Sequence, residues 1–433
     1  MTDKNISTQK MARPESGTRW GVVVLLAMGT MVNYIDRVNF GVATPTLMKE
    51  FGLGTAEMGI LMSAFFWSYT LMMLPSGYFL NKIGPKKVLG IAGLAWGSVT
   101  MLVAACTGFY SFLALRIGIG VTEAPAFPAN ARVVSVWVPK KERTFATAIF
   151  DCSARIGSAF APPLVAFVIA LWGWKMAFFL TGGLAVIWAI FWFILYHEPA
   201  DHPKITATEL AYIRQDEVVT ASGAIHVEPI PMIKLASYPV ILKATVAYAL
   251  YLYVWTVFLY WIPTYLMKVR GLSLKEMGIA ASIPYIVAVV AELIGGKVFD
   301  KWYEKGATIS QLRRTGMGIG MFGAAIFIWF VMQAETAYWA IFWLSAFSGI
   351  FAFGASNVWA IPSDIAPYGQ AGGVGGVYNF VGNFGALFAP MVTGYLAASS
   401  YGFNGAFSVC VAFSVVGGFL FVFNNYERLK PKV

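Results

Sequence analysis

The sequence predicts an all-α membrane protein, with twelve transmembrane helices in two six-helix parallel repeats around a central cavity. Composition is the first reason. Of 433 residues, 58% are hydrophobic and only 12% charged, against about 45–50% and about 25% in soluble domains. Too few charges remain to solvate a body of this size, so most of its surface must face lipid. Patterning is the second reason, with twelve apolar runs of near-spanning length. An internal duplication is the third. Soluble enzymes, nucleic-acid readers and disulfide-stapled secreted scaffolds all become poor readings.

The elements follow in order. A polar tail (1–19) precedes apolar runs near 20–43, 57–80, 88–107, 109–136, 145–171 and 175–196, which make a first bundle over 20–196. After a polar linker (197–239), runs near 240–265, 276–299, 314–333, 336–360, 370–397 and 402–425 make a second bundle over 240–425, ahead of a short tail (426–433). Each run approaches the roughly 20 residues that a helix needs to cross the hydrocarbon core. Helices are the only suitable spans, because strand alternation is absent and lipid leaves open backbone groups without partners. The first run is too long for the apolar core of a secretory signal. Within the linker, ITATELAYIRQDE (205–217) reads as a short amphipathic surface helix that serves as a tether. Cys106, Cys152 and Cys410 lie in apolar stretches without metal-like spacing and read as small core residues.

The net charge of +10 has a topological meaning. Of 31 Lys and Arg, three (Arg37, Arg116, Arg155) lie deep in apolar runs. Five more (Lys49, Lys175, Lys268, Arg270, Lys275) follow odd-numbered helices. The other 23 lie in or beside the tails, the linker and the loops after even-numbered helices. The positive-inside rule then places both termini in the cytoplasm. No compact basic domain is left to bind nucleic acid.

The duplication is legible as four matches in order. PTLMKEFGL (45–53) recurs as PTYLMKVRGL (263–272), and EMGI (57–60) as EMGI (276–279). Gly77, Asn81 and Lys82 answer Gly296, Asp300 and Lys301 at an offset of 219, and IGSAFAP (156–162) answers FGALFAP (384–390) at 228. Six helices return the chain to its starting side, so the halves are parallel repeats, an arrangement that favours a substrate site between them.

GYFLNKIGPKK (77–87) resembles the Gly-x-x-x-Asp-Arg/Lys-x-Gly-x-Arg/Lys-Arg/Lys loop of the major facilitator superfamily. The resemblance implies gating loops at Gly77, Asn81, Lys82, Gly84, Lys86 and Lys87, and at Gly296, Asp300 and Lys301 in the second copy. Glycines there permit close helix packing and charges bridge the halves at the cytoplasmic face. Asn81 stands where the family usually has Asp, which weakens the first-half contribution. NYIDRVNFGVA (33–43), RIGIGVTEAPAFPANARVV (116–134) and HEPADHPKITATELAYI (197–213) together resemble the anion:cation symporter family over nearly the whole chain. Bacterial members carry galactonate, hexuronates and glucarate. The resemblance implies a proton-coupled importer of a small organic anion in the bacterial inner membrane, surrounded by lipid and working by alternating access. A monomer is expected.

The residues point the same way by themselves. A charge at the bilayer centre costs at least about 2.5–3.5 kcal/mol, so intramembrane ions are functional candidates. Apolar runs hold Asp36, Arg37, Arg116, Glu123, Asp151 and Arg155, with Glu292 nearer a cytoplasmic end. At the repeat positions of Asp36 and Arg37 the second half has Val254 and Trp255, while Asp151 and Arg155 map onto Asn379 and Asn383. Arg116 and Glu123, seven apart, share a helix face about 10 Å apart along the axis, which suits an anion site beside a proton site. A guanidinium grips a carboxylate in two hydrogen bonds without giving up its own proton. By the resemblance, Arg37 takes the substrate carboxylate, and Asp36 and Glu123 carry coupling protons. Arg116 then tunes Glu123 or bridges to the first helix. Tyr34, Tyr69, Ser356, Trp359 and Asn379 match pocket positions of galactonate carriers, and their hydroxyl, indole and amide groups suit a polyhydroxylated acid.

IFDCSARIG (149–157) departs from the family, with Asp151 and Arg155 four apart where relatives usually have neutral polar groups. Two readings stand. One is a satisfied i,i+4 salt bridge between Asp151 and Arg155, with Asp151 also a candidate among the proton-coupling residues. The other is a specificity site in which Arg155 receives the second carboxylate of a diacid or uronate. This second reading sets a carrier of aromatic or dicarboxylic acids beside the sugar-acid carrier. Glu292 reads as a cytoplasmic-side partner for Lys297 or a neighbouring basic residue. The three histidines (His197, His202, His226) all lie in the linker, and no Walker motif, metal cluster or nucleophile–base set is visible. The resemblance makes protons the expected coupling ion; no metal or other cofactor is expected, and an enzyme is the least fitting class.

Overall fold

The computed structural model describes residues 17–139, 142–221, 230–367 and 370–429. Residues 1–16 and 430–433 of the expected tails, and His226, lie outside them. The described elements are helical throughout. The first half comprises α1 (Thr18–Phe51), α2 (Thr55–Leu102), α3 (Phe109–Glu123), α4 (Ala126–Trp137), α5 (Arg143–Trp172) and α6 (Trp174–Leu195). The linker carries α7 (Ala207–Ala221) and α8 (Met232–Ala236). The second half comprises α9 (Pro239–Lys268), α10 (Leu274–Glu304), α11 (Ile309–Gln333), α12 (Ala337–Ala355), α13 (Ile361–Ile365), α14 (Ala371–Ala398) and α15 (Gly402–Val422). Ten helical stretches are long and apolar enough to cross a membrane. The remaining crossings are the first arm of α2 and the broken pair α3–α4, which completes twelve.

The repeated sequence motif is a helix–turn–helix made twice. α1 ends at Gly52, whose φ of 65° lets its N–H return to the Met48 carbonyl. The Glu57 carboxylate then accepts from the Gly54 N–H at 3.0 Å and starts α2. In the second half Ser273 and Glu276 satisfy each other in the same way, at 2.9 and 3.3 Å, to start α10. The recurring EMGI thus supplies a capping glutamate at each helix start.

Two expected spans meet at a kink and two others are broken. Residues 57–80 and 88–102 lie in two helical arms that meet at Gly84, where φ is 77° and the backbone is not helical. Pro85 follows, suited to open the next helical arm. The expected continuous run 109–136 breaks after Glu123 at Pro125, and the run 336–360 loses its helix after Ala355. Irregular backbone at membrane depth survives only where protein buries it or it lines a cavity. Both breaks lie beside the centre of the molecule, where that condition is met.

The halves meet along two seams related by the duplication. A β-carbon on Gly59 of α2 would stand 2.6 Å from the Pro390 carbonyl oxygen of α14. Its counterpart on Gly278 of α10 would stand 2.6 Å from Ala166 Cβ and 3.1 Å from the Pro162 oxygen of α5. Both contacts lie near the helix ends remote from the linker, so the backbones touch there. Toward the linker, a cavity of about 540 Å³ separates α4 and α5 from α14. Around the outside, large apolar side chains such as Phe160, Phe167, Trp172 and Trp329 remain exposed, as a lipid-facing surface requires.

The linker is more than a tether. Arg19, 1% exposed, donates from Nε to Glu142 (2.9 Å) and from Nη1 to Glu209 of α7 (3.0 Å). Tyr212 of α7 adds a hydrogen bond to Glu142 at 2.9 Å. These contacts dock α7 on the starts of α1 and α5. Nearby, the Lys204 N–H donates to His202 Nδ1 at 3.2 Å. Burial, assisted by His197 and Lys204, holds the His202 imidazole below its ordinary range.

Candidate functional site

The two halves enclose a central cavity of about 110 Å³ lined by Tyr34, Arg37, Tyr69, Asp151, Arg155, Trp359 and Asn379. It shares Phe127, Asp151, Trp359 and Asn379 with the larger linker-side cavity, so the two communicate. Seven of the residues singled out in the sequence therefore converge on one space from α1, α2, α5, the α12–α13 break and α14.

Arg37 is the most enclosed cation facing that space. Aromatic rings surround its guanidinium carbon, with Tyr69 at 4.8 Å, Phe65 at 5.1 Å, Tyr34 at 5.2 Å and Phe127 at 6.0 Å. Each ring face attracts the cation. Arg37 Nε donates to Glu123 Oε1. Its Nη2 is buried and has no hydrogen-bond partner among the described residues. Glu123 is fully buried at the last turn of α3, where the helix breaks. The break at Pro125 brings the carboxylate to Arg37.

Asp36 points the other way, into the first half. It accepts hydrogen bonds from Thr100 Oγ1 at 2.7 Å and Thr181 Oγ1 at 3.0 Å. Asn39 completes the chain by donating to Thr181 at 2.9 Å. A void of about 10 Å³ is lined by Asp36, Arg37, Arg116 and Glu123 together. Arg116 makes no ion pair with Glu123. Its Nε donates to the Leu61 carbonyl at 3.1 Å, and its guanidinium lies 4.5 Å from the Phe40 ring centroid on α1. Arg116 thus bridges to the first helix through a ring and holds α2 through a carbonyl.

The expected Asp151–Arg155 salt bridge is not formed. Arg155 instead pairs with Glu292 across the α5–α10 seam, while its guanidinium carbon lies 5.2 Å from the Trp255 ring centroid. Asp151 faces the junction of the two cavities. Glu292 likewise does not pair with Lys297. Five residues on, Lys297 is turned about 140° around the helix and is exposed, whereas Glu292 faces the seam.

Ser356 does not line the cavity. Its hydroxyl donates to the Phe353 carbonyl at 2.9 Å, closing the turn that ends α12. In the gating loops, Asn81, Lys82, Lys87, Asp300 and Lys301 are exposed. Lys82 lies 5.7 Å from the Tyr78 ring. The Lys86 carbonyl accepts from Trp192 Nε1 at 3.0 Å. Among the described residues no ion pair joins the two loops.

Several lining residues escaped sequence reasoning, namely Trp255, Tyr248, Tyr251 and Asn383. Tyr248 stacks on Tyr378 at 4.2 Å and on Tyr251 at 5.9 Å. A signal did exist for two of them. The repeat register aligns Trp255 with Arg37 and Asn383 with Arg155, so each stands at the mirrored wall of the cavity. Among the described residues, no group of three His, Cys, Asp or Glu could hold a metal ion.

With this geometry established, known proteins give it a family. The Major Facilitator Superfamily model matches residues 26–312 and 306–433. The chain is 33% identical to the probable galactarate/D-glucarate transporter GarP of Escherichia coli (strain K12), over 95% of this chain and 96% of that protein. It is 32% identical to the D-galactonate transporter of Escherichia coli O6:H1, over 93% and 95%. A bacterial homolog of the human lysosomal transporter Spinster, solved in an inward-facing, unoccupied conformation, superposes with a TM-score of 0.74 at 17% identity, covering 97% of this chain and all of that one. The chain belongs to the major facilitator superfamily and is an integral membrane transporter, not an enzyme.

Proposed function

We propose that this transporter imports a small organic anion, a sugar acid of the hexonate, hexuronate or aldarate class, together with protons. The carrying observation is the state of Arg37. It faces the central cavity, Glu123 occupies one side of its guanidinium, and Nη2 is unpartnered. A charged Glu123 neutralises Arg37 and competes with any incoming carboxylate. A protonated Glu123 releases the cation, and a substrate carboxylate takes the vacated hydrogen bonds in a bidentate grip. Proton and anion therefore load together. Asp36, held by two hydroxyl donors and joined to Glu123 through the small void, is the second coupling carboxylate. Arg116 fixes the positions of α1 and α2 around both.

Tyr34, Tyr69 and the Asn379 amide offer hydrogen bonds to a polyol chain, and the Trp255 and Trp359 rings offer faces for its C–H side. The naming of relatives as galactarate, D-glucarate and D-galactonate transporters supports the class. Alternating access accounts for the two ends of the molecule. Backbone contact at Gly59 and Gly278 shuts one end, and the 540 Å³ cavity at the other is the inward-facing route. The surplus of basic residues on the linker side supports a cytoplasmic position for that side and for both termini, in a bacterial inner membrane.

A thermal-shift panel tests the assignment. Purified protein should be stabilised by galactarate, glucarate, galactonate or glucuronate and not by the neutral sugars. Arg37→Gln should abolish the shift. Equal stabilisation by neutral sugars, or an undiminished shift in Arg37→Gln, contradicts the reading.

A further inference from the structure

We propose that Arg155 and Glu292 form a second carboxylate subsite, which fits the chain to a dicarboxylic sugar acid and couples that diacid to one extra proton. The proposal rests on the sugar-acid reading above. Its geometric basis is that Arg155 lines the same cavity as Arg37 and is held, like Arg37, by a glutamate. The side chains of the second pair are 11% and 13% exposed, so the pair is largely desolvated.

The duplication supplies a control. The offsets of 228 and 219 carry Arg155 onto Asn383 and Met73 onto Glu292. In the sister seam those residues make a neutral contact, with Asn383 Nδ2 3.7 Å from Met73 Sδ. The scaffold therefore closes this level of a seam with an amide and a thioether. A buried ion pair is rarely more stabilising than neutral packing of similar volume. Its presence in one seam only points to a role in transport.

The two Arg–Glu pairs also differ in mechanics. Arg37 and Glu123 both belong to the first half, so rocking of the halves leaves them together. Arg155 and Glu292 stand on opposite halves, so rocking strains that pair in every cycle. The neighbouring titratable groups are Asp151 and Cys152 on α5 and Tyr251 on α9. From α12, Gly349 approaches Val287 and Ala291 of α10, and the Phe353 carbonyl approaches Gly295; neither contact brings a titratable side chain. Asp151 lines the junction of the two cavities; because a charged Glu292 already neutralises Arg155, a second substrate carboxylate is accepted at Arg155 only after Glu292 is neutralised. One proton enters with it. The Trp255 ring retains the guanidinium when Glu292 lets go.

The test uses the full chain in proteoliposomes with galactarate (two carboxylates) and galactonate (one). In the unaltered protein, the proton-to-substrate ratio, read from accumulation against imposed pH gradients, should be higher by one for galactarate. The Arg155→Asn/Glu292→Met double variant installs the sister seam's own neutral pair. It should lower the galactarate-to-galactonate preference by about tenfold or more, the worth of one charge-assisted contact. Glu292→Gln should erase the difference in proton ratio. Equal ratios for the two acids in the unaltered protein overturn the proposal without touching the parent reading, as does a double variant with unaltered preference. Carriage of galactonate without galactarate overturns the proposal alone, and failure to carry any hexonate, hexuronate or aldarate overturns both.

Discussion

Replacing Glu123 by Gln isolates the coupling step. The substitution keeps the shape of a fully buried side chain and removes the charge that neutralises Arg37, itself 8% exposed. Breaking a buried ion pair by removing one partner costs about 3–5 kcal/mol. Here the amide oxygen can still accept from Nε, and four rings still face the cation. A loss of about 1–3 kcal/mol in the substrate-free protein is therefore expected, the range for a charged hydrogen bond weakened and not abolished. A substrate carboxylate no longer has a competitor, so each 1.4 kcal/mol of relieved competition tightens binding about tenfold. On the proposed coupling, protonation of Glu123 frees Arg37, so binding to the unaltered protein should strengthen as pH falls, and in the variant that dependence should disappear. The assay is paired transport in proteoliposomes. Counterflow exchange at equal pH should persist, while accumulation driven by a pH gradient should be lost. Gradient-driven accumulation equal to that of the unaltered protein refutes the assignment of Glu123.

Other expectations follow from the same structure. Gly59→Leu or Gly278→Leu should cut uptake by about tenfold or more, because overpacking costs about 1–3 kcal/mol where a β-carbon would already stand 2.6 Å from its neighbour; uptake at the unaltered rate contradicts this. Arg19→Ala should lower the melting temperature by removing the cation that joins Glu142 to Glu209, read by thermal unfolding in detergent. His202 contributes a pH dependence of opposite sign to that of a paired histidine. Its folded pKa lies below the ordinary value of 6.5, so its stabilisation is complete above that value and is lost as pH falls through the folded pKa. Acidification also removes the Nδ1 lone pair that accepts from Lys204. A melting-temperature profile should show this slope and lose it in His202→Asn.

How much was legible in the sequence follows from how local each determinant is. Span number and the duplication are written in runs of adjacent residues, and the EMGI match marks a capping interaction confined to four positions. The list of intramembrane ions was legible for the same reason, since any charge inside an apolar run stands out. Pairings between elements were not. Asp151 and Arg155 share a helix face, yet the seam offered Arg155 a desolvated carboxylate on α10 and the i,i+4 pair did not form. Nothing within α5 encodes that competition. The breaks at Pro125 and after Ala355 were hidden because apolar composition continues through them. The docking of α7 depends on Arg19 and Glu142, each far from the linker in sequence.

Entry of an anion with protons through a site built on Arg37 is tested most directly by uptake of galactarate, glucarate and galactonate into proteoliposomes with the exterior made acidic. At least one of these acids should accumulate above its external concentration, and the accumulation should collapse to equilibration when a protonophore is added. Uptake that reaches the same level with the pH gradient, without it and with the protonophore contradicts coupled entry.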